Sequence, residues 1–227
     1  MITVDSLKKH AGGRLILNIP RLAINKGERV ALIGANGSGK STLLKILAGV
    51  VKPDEGTTTF EGFDSPPYYM PQRSYGFAMS VFKNILLSLG PGFSAAEKRE
   101  AVEAALKQFG LEHLAKKRGD RLSGGETQRL ALARLFITPK SVMLLDEPSS
   151  AADIYGTQLI EKAILGYCAE NNTTLVMATH SPRQALHIAD RLILLRDGEI
   201  AEDTTPEELV RNPQSEWGKL FMENWKV

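Results

Sequence analysis

The stretch GANGSGKST, residues 34–42, constrains this chain more than any other feature. It begins at the end of ERVALIG, a continuous apolar run typical of a buried strand. It overlaps the start of KSTLLKILAGV, whose apolar spacing predicts a helix. Glycines let consecutive backbone N–H groups converge on one anion, and a lysine and a serine at the helix start complete a site for nucleotide phosphates and Mg²⁺. Because motif and context agree, an ordinary glycine-rich turn is a poor alternative.

The phosphate-binding residues that this motif predicts are Gly34, Asn36, Gly37, Ser38, Gly39, Lys40, Ser41 and Thr42. We expect Lys40 to contact the β- and γ-phosphates and Ser41 to offer its hydroxyl to Mg²⁺. A second buried strand, VMLLD at 142–146, is expected to carry Asp146 to the same carboxyl edge of the sheet, where it supports Mg²⁺. Glu147 follows directly and can orient or deprotonate an attacking water. Without the phosphate loop, two solvated carboxylates would be the simpler interpretation of this strand end.

Strands and helices alternate over much of the chain, which predicts an α/β fold with a mostly parallel sheet, a phosphate-loop NTPase core. The runs ITV, RLILNI and RLAI, continued by TTTFEG (57–62) and YYM (68–70), predict an N-terminal antiparallel β-subdomain. RLILLRDGEI reads as a hairpin. From 81 to 117 the apolar spacing becomes helical, which predicts a small helical subdomain inserted into the core.

We therefore expect a single domain over residues 1–227, divided as follows. The core and β-subdomain occupy about 1–72 and 131–202, the helical subdomain about 73–130, and a helical tail about 203–227. The tail carries a stripe of aromatic residues at a spacing of four, Trp217, Phe221 and Trp225. Packing on the core is the expected role of this stripe, and docking to a partner is the alternative.

The composition limits the possible partners. The formal net charge is +2, which gives no support for a nucleic-acid partner. The single cysteine, Cys168, cannot form an internal disulfide and fits a reducing compartment. No apolar run reaches the roughly 18–20 residues of a membrane-spanning helix. If the protein serves a membrane process, we expect it to act as a soluble subunit attached to another protein.

Six short motifs occur in the order GANGSGKST, MPQ (70–72), LSGGE (122–126), MLLDEP (143–148), SSAAD (149–153) and TH (179–180). Their order and spacing resemble the ATP-binding subunit of ABC transporters over residues 2–202. LSGGE between a phosphate loop and a DE strand is very specific to that family. The resemblance implies an Mg²⁺-dependent ATPase that drives solute transport by a separate membrane subunit.

The resemblance also implies a head-to-tail dimer with a second copy of the chain. In such a dimer Ser123, Gly124 and Gly125 would close over the ATP held by the other copy. Gln72 would contact Mg²⁺ and the attacking water, and would link the core to the helical subdomain. His180 would contact the γ-phosphate and hold the catalytic geometry. An ordinary helix capped by Ser123 is compatible with this role.

The sequence departs from the family pattern at three positions. SSAAD has Ala152 where leucine is usual, which predicts a looser contact at the dimer seam where Asp153 lies. Glu126 stands where glutamine is commoner. The aromatic residue that stacks on adenine is replaced by His10 or has no counterpart. If His10 stacks on the base, we expect modest discrimination between ATP and GTP, because every base offers a π-face.

Further partners follow from the resemblance alone. They are an integral membrane permease and an extracytoplasmic solute-binding protein, with the chain cytoplasmic and attached to the inner face of the membrane through the permease. The compact chain favours an importer, and the segment IPRLAINKGERVALIGANGSGKSTLL is similar to subunits for oxyanions such as tungstate or molybdate. A soluble mechanical ATPase of the same superfamily is the alternative. A nucleotide kinase is a third class, but LSGGE and His180 are evidence against it.

Overall fold

The protein is described by a computed structural model over residues 1–224, and these residues form two compact units. The first unit comprises residues 1–69, 141–147 and the described residues from 172 onward. The second comprises residues 70–140 and 148–171 and is helical. Strands and helices are numbered separately below, each in chain order.

An antiparallel sheet opens the first unit. It consists of β1 (Ile2–Ala11), β2 (Arg14–Ile24) and β4 (Glu55–Phe60), in the order β2-β1-β4. Ile2 and Val4 enter the core at the two-residue spacing of a strand with one buried face, and Leu7 follows after an irregularity in the strand. The predicted N-terminal β-subdomain is thereby confirmed.

The strand pattern of this sheet differs from the prediction at one point. RLILNI and RLAI form a single strand, β2, although Pro20 lies within it. Proline cannot donate a hydrogen bond to a neighbouring strand. Because β2 is an edge strand, the missing N–H leaves no partner unsatisfied on its open side.

The larger sheet has the strand order β5-β6-β7-β3-β8-β9. Its strands are β3 (Arg29–Ile33), β5 (Tyr68–Met70), β6 (Val142–Asp146), β7 (Thr174–Ala178), β8 (Arg191–Arg196) and β9 (Glu199–Thr204). The pairs β6–β7, β7–β3 and β3–β8 are parallel, and β9 returns antiparallel to β8 as the predicted hairpin. The expected mostly parallel sheet is therefore confirmed.

YYM was expected in the β-subdomain, but it forms β5 at the edge of the larger sheet, beside β6. A three-residue apolar run has no feature that assigns it to one sheet or the other. The stability of a strand depends on the side chains of the neighbouring strands, which the run itself does not specify. The prediction was wrong for this reason.

The helices of the first unit are α1 (Lys40–Leu47), α6 (Pro182–Ile188), α7 (Pro206–Arg211) and α8 (Glu216–Asn224). Helix α1 packs on β6 and β7, and α6 packs on β3. Central strands of a parallel sheet are covered on both faces and read as continuous apolar runs. Every residue of β6 and β7 is buried, which explains the sequence VMLLD.

A buried carboxylate fixes the start of the C-terminal helical segment. Glu202 in β9 accepts hydrogen bonds from the backbone N–H groups of Gln214 at 2.9 Å and Ser215 at 3.0 Å. The Ser215 hydroxyl donates to the same carboxylate at 2.6 Å. Gly218 in α8 permits the close approach, because a Cβ there would lie 2.1 Å from the Glu202 carboxylate.

Two residues of the aromatic stripe, Trp217 and Phe221, lie within the described part of the tail. The guanidinium of Arg196 lies over the ring of Trp217, 4.4 Å from its centroid. Phe221 is half-buried. Trp225 lies outside the described residues.

The second unit contains the helices predicted over 81–136 and also the helix after SSAAD, which was predicted as part of the core. They are α2 (Val81–Leu86), α3 (Ala95–Gln108), α4 (Gly124–Phe136) and α5 (Ile154–Asn171), with 3₁₀ turns at Glu112–Leu114 and Gly119–Arg121. An aromatic cluster joins them: the Phe136 ring lies 5.6 Å from Phe109 and 4.4 Å from Tyr167. Across residues 1–224, none of the helices is both long and apolar enough to span a membrane.

Candidate nucleotide-binding site

The phosphate loop (residues 34–39) connects β3 to α1 and depends on glycine for its shape. Gly34 has a φ of 139°, and a Cβ there would lie 2.2 Å from the carbonyl oxygen of Leu195. Gly39 caps α1 with a φ of 105° and, lacking a side chain, accepts no hydrogen bond from the helix N–H groups. The first N–H groups of α1 therefore have no side-chain cap and can serve an anion, aided by the helix dipole.

Lys40 places a positive charge inside this loop. Its ammonium donates to the carbonyl oxygens of Gly34 at 2.8 Å and Ala35 at 2.9 Å. Burial lowers the pKa of Lys40, and the nearby carboxylates Glu147 and Asp146 oppose that effect. The loop backbone and this ammonium provide the cation and N–H donors that a polyphosphate requires.

Ser41 and Asp146 meet at the carboxyl edge of the sheet. The Ser41 hydroxyl donates to Asp146 Oδ1 at 2.9 Å. The Tyr69 hydroxyl contacts the other carboxylate oxygen, Oδ2, at 3.4 Å, and burial followed by the Asp146 charge raises the pKa of Tyr69. Hydroxyl and carboxylate oxygens side by side are the hard donors that suit Mg²⁺, so the residues present fit this ion.

Glu147 and His180 form a second pair at the same edge. Glu147 Oε2 lies 2.7 Å from His180 Nδ1, and the Glu147 backbone N–H donates to the carbonyl of Ala178 at 2.9 Å. The pair exists because β6 and β7 are parallel neighbours, with Asp146 opposite Ala178. A carboxylate can only accept, so Nδ1 carries the hydrogen and the ring is oriented by this bond.

The backbone of Glu147 is itself unusual. Its φ is 52°, in the left-handed region that residues with side chains rarely adopt. The side chain is nearly buried, whereas that of His180 is largely exposed. Strained residues of this kind cluster at functional sites, where the surrounding structure holds them in place.

His10 lies in β1 and is bound to a neighbouring carboxylate. Its backbone N–H donates to Asp54 at 2.6 Å, and its ring Nδ1 lies 3.5 Å from the same carboxylate. Lys9 also contacts Asp54, at 2.8 Å. The His10 ring is about half exposed and available to a flat ligand, so stacking on the base stays a prediction.

The other predicted site residues lie in the second unit. Gln72 is exposed and follows β5. Ser123 caps α4: its hydroxyl accepts from the Glu126 N–H at 3.3 Å, and Glu126 accepts from the Ser123 N–H at 2.8 Å. This reciprocal capping box presents the serine–glycine turn (residues 123–125) in a fixed shape at the positive end of a helix.

The seam loop (residues 149–153) is fastened to the serine–glycine turn. The Gln128 side chain of α4 bonds Ser150 Oγ at 3.0 Å and the Ala151 N–H at 2.9 Å. A Cβ on Gly125 would lie 2.9 Å from the Ala151 carbonyl oxygen, so only glycine fits this contact without rearrangement. Asp153 accepts from the Gly156 N–H at 2.7 Å and so caps α5.

Two of these features escaped prediction from the sequence. No sequence feature marked Tyr69 as a partner of Asp146, because an aromatic residue in a short strand is most simply explained as part of the core. The Glu147–His180 pair could have been found from the sequence only with the strand order in hand, since 33 residues separate the partners.

A sequence profile described as ABC transporter matches residues 17–150, more than half of the chain. The chain belongs to the ABC transporter family. That membership excludes the nucleotide kinase considered above, and it confirms the resemblance drawn from the order of the motifs.

Three curated relatives of this ABC cassette are named as import proteins. A sulfate/thiosulfate import ATP-binding protein of Bacillus cereus is 36 % identical over 98 % of this chain and 66 % of its own length. A thiamine import ATP-binding protein of Jannaschia sp. is 40 % identical over 84 % and 88 %. A tungstate uptake system ATP-binding protein of Peptoclostridium acidaminophilum is 35 % identical over 88 % and 97 %. The chain thus spans about two thirds of the sulfate/thiosulfate relative's own length.

Solved structures share the ABC ATPase fold. A dimeric ATP-binding cassette in a post-hydrolysis state, bound to ADP and inorganic phosphate, is 28 % identical with a TM-score of 0.80. The match covers 91 % of this chain and 99 % of that one. The α/β fold with an antiparallel N-terminal sheet and a mostly parallel sheet is therefore confirmed.

Proposed function

We propose that this chain is the ATP-binding and ATP-hydrolysing subunit of an importer. The observation that carries the proposal is the convergence of two pairs, Ser41–Asp146 and Glu147–His180, beside the Lys40 loop at one edge of the sheet. Phosphate binding, metal binding and activation of water each require one of these groups. Import as the direction is supported by the names of the three relatives.

Each side chain has a separate task in hydrolysis. Lys40 and the loop N–H groups hold the β- and γ-phosphates, and Ser41 and Asp146 would hold Mg²⁺ when it binds. Mg²⁺, when bound, neutralises phosphate charge. Glu147 orients a water and accepts its proton as the water oxygen bonds to the γ-phosphorus. The bond to the bridging oxygen breaks, which yields ADP and inorganic phosphate.

His180 keeps Glu147 in position through Nδ1, and its other ring nitrogen, Nε2, would reach the γ-phosphate as an N–H donor. The preformed serine–glycine turn of a second copy closes over the same phosphate, with the positive end of α4 behind it. Each site is complete only in the dimer. ATP binding closes the dimer, and hydrolysis reopens it.

The second unit offers a surface for the membrane permease. Tyr75 and Phe77, just after Gln72, are exposed aromatic residues. An open groove of ≈ 940 Å³ beside them is lined by Phe82 and Leu86 of α2 and by residues of α3. The buried Asn84 side chain ties the segment before α2 by bonding the Phe77 N–H at 2.8 Å, so motion there reaches α2. Exposed apolar surface of this kind marks interaction sites.

The permease would hold the chain at the inner face of the membrane, on the cytoplasmic side, and an extracytoplasmic solute-binding protein would supply the cargo. An oxyanion such as tungstate or molybdate is the proposed cargo, supported by the tungstate and sulfate/thiosulfate relatives. No nucleic acid takes part. Ligand-stimulated ATPase activity of the reconstituted system, with tungstate, molybdate, sulfate and thiamine as separate additions, tests this choice.

The composite ATP site is tested with Glu147→Gln. The amide cannot accept the proton of water, so we expect turnover to fall about 10²–10⁴-fold while ATP binding persists. The variant should elute as an ATP-bound dimer in size-exclusion chromatography with Mg-ATP. A variant that stays monomeric at high concentration contradicts the composite site.

The division of labour between the two phosphate-binding devices is tested with Lys40→Ala and Ser123→Arg. We expect Lys40→Ala to lose nucleotide affinity, whereas Ser123→Arg keeps the affinity of the monomer and loses hydrolysis. Ser94→Arg is the matched control, because Ser94 caps α3 with the same capping box. Equal loss of ATP binding by the Lys40 and Ser123 variants would refute the division.

A further inference from the structure

Two apolar side chains at the start of α5 are unusually exposed. Ile154 is 79 % exposed and Tyr155 69 %, the highest values for large hydrophobic residues in the described part of the chain. The first turn of a helix favours acidic or small polar side chains, because its N–H groups are unpaired and its dipole is positive there. An adjacent isoleucine and tyrosine at this position have no local structural reason.

The apolar pair (Ile154 and Tyr155) is held on a rigid support. Asp153 caps the helix that carries it through the Gly156 N–H at 2.7 Å. Gly156 is buried, and a Cβ there would lie 3.0 Å from Asp153 Oδ1. Since the backbone is fixed, burying the pair in a contact costs only side-chain ordering.

The pair is continuous with the surface that closes over a partner's ATP. It follows the seam loop directly, and Gln128 fastens that loop to α4, whose first turn is the serine–glycine turn. Gly124 is in contact with Ala151, since a Cβ on it would lie 3.2 Å from the Ala151 Cβ. Turn, loop and apolar pair thus form one surface of the second unit.

We infer that the apolar pair is a contact of the ATP-dependent homodimer, and that a second copy of this chain buries it. The inference rests on the proposed function, because it extends the interface that the serine–glycine turn makes. A symmetric dimer presents the same patch on both copies, so one pair contributes twice.

The size of the pair sets its role. A stable interface buries about 1,600 Å² in total, whereas one large aromatic side chain buries about 150–250 Å². Two residues from each copy are too few to hold a dimer alone. The pair therefore strengthens a dimer that the ATP-dependent contacts already hold together, and it does not form that dimer by itself.

The test uses the Glu147→Gln protein as parent, with Mg-ATP, and measures its dimer dissociation constant by analytical ultracentrifugation. We expect Ile154→Ser with Tyr155→Ser to raise that constant by at least about tenfold. The conservative double substitution Ile154→Leu with Tyr155→Phe should leave the dissociation constant equal to that of the parent. ATP affinity of the diluted monomer, read with a fluorescent ATP analogue, should be the same in all variants.

The matched control is Val50→Ser with Leu220→Ser, which also removes two exposed apolar side chains, from the first unit. This control should leave the dimer dissociation constant within about twofold of the value for the Glu147→Gln parent. If the Ile154 and Tyr155 double variant dimerises as tightly as this control, the inference is overturned while the composite site stands. If the Glu147→Gln parent forms no dimer, the composite site fails and the inference fails with it.

Discussion

His180→Ala should slow hydrolysis without weakening ATP binding. The substitution removes the 2.7 Å contact between Nδ1 and Glu147 Oε2, but leaves the Glu147 backbone bonded to Ala178. A hydrogen bond to a charged group contributes about 1.5–3 kcal/mol. Because about 1.4 kcal/mol corresponds to tenfold in rate, the loss of orientation should lower kcat by about 10- to 150-fold. Lys40 and Ser41 are untouched and still hold the nucleotide, so loss of the Nε2 contact should change the affinity for ATP by less than about threefold.

The measurement is steady-state phosphate release at saturating Mg-ATP, with nucleotide affinity determined separately. His187→Ala is the control, because His187 is an exposed histidine of the adjacent helix α6. The double variant with Glu147→Gln separates two mechanisms. If His180 acts through Glu147, the double variant should be no slower than Glu147→Gln alone, because residues that act as a unit are not additive.

Two results would refute this reasoning. One is a kcat for His180→Ala within about threefold of the wild-type value. The other is full additivity in the double variant, which would assign His180 to the phosphate independently of Glu147.

Two further predictions concern the base and the tail. Titration of ATP and GTP should show a small affinity loss for His10→Ala and tighter ATP binding for His10→Tyr, since stacking contributes about 1–3 kcal/mol per base; three equal affinities would remove His10 from the site. Glu202→Gln should lower the free energy of unfolding at pH 7 by about 2 kcal/mol, because bonds to a charged carboxylate are lost. Burial alone would raise the pKa of Glu202, but bonds from Ser215 and Gln214 lower it, so the difference from wild type in denaturant titrations should shrink as the pH falls below about 4.5. A difference that grows in acid would contradict this sign.

The parts of the fold that the sequence predicts are those with a strong local cause. VMLLD was predicted as a strand over 142–146 and is β6, because a strand covered on both faces must be apolar throughout. The helix after LSGG begins at Gly124 because Ser123 and Glu126 satisfy each other's backbone N–H groups. Both features are encoded within a few residues.

The parts that it does not predict depend on which segments become neighbours. YYM could pair with either sheet, and RLILNI and RLAI could join only because β2 lies at an edge. In the candidate site, the motifs supplied the residue types, whereas the pairing of Glu147 with His180 required β6 to lie beside β7. The separation of two strands along the sequence does not indicate whether they become neighbours in the sheet.

The left-handed backbone of Glu147 has a consequence for engineering. A left-handed conformation costs a residue with a Cβ about 1–2 kcal/mol, a cost that Glu147→Gly would remove together with the bond to His180 and the carboxylate proposed to accept the proton. A screen for thermostability alone would not detect the loss of this proposed general base. Any directed evolution of this chain needs a turnover screen at every round, because at this position the backbone conformation and the proposed chemistry favour different residues.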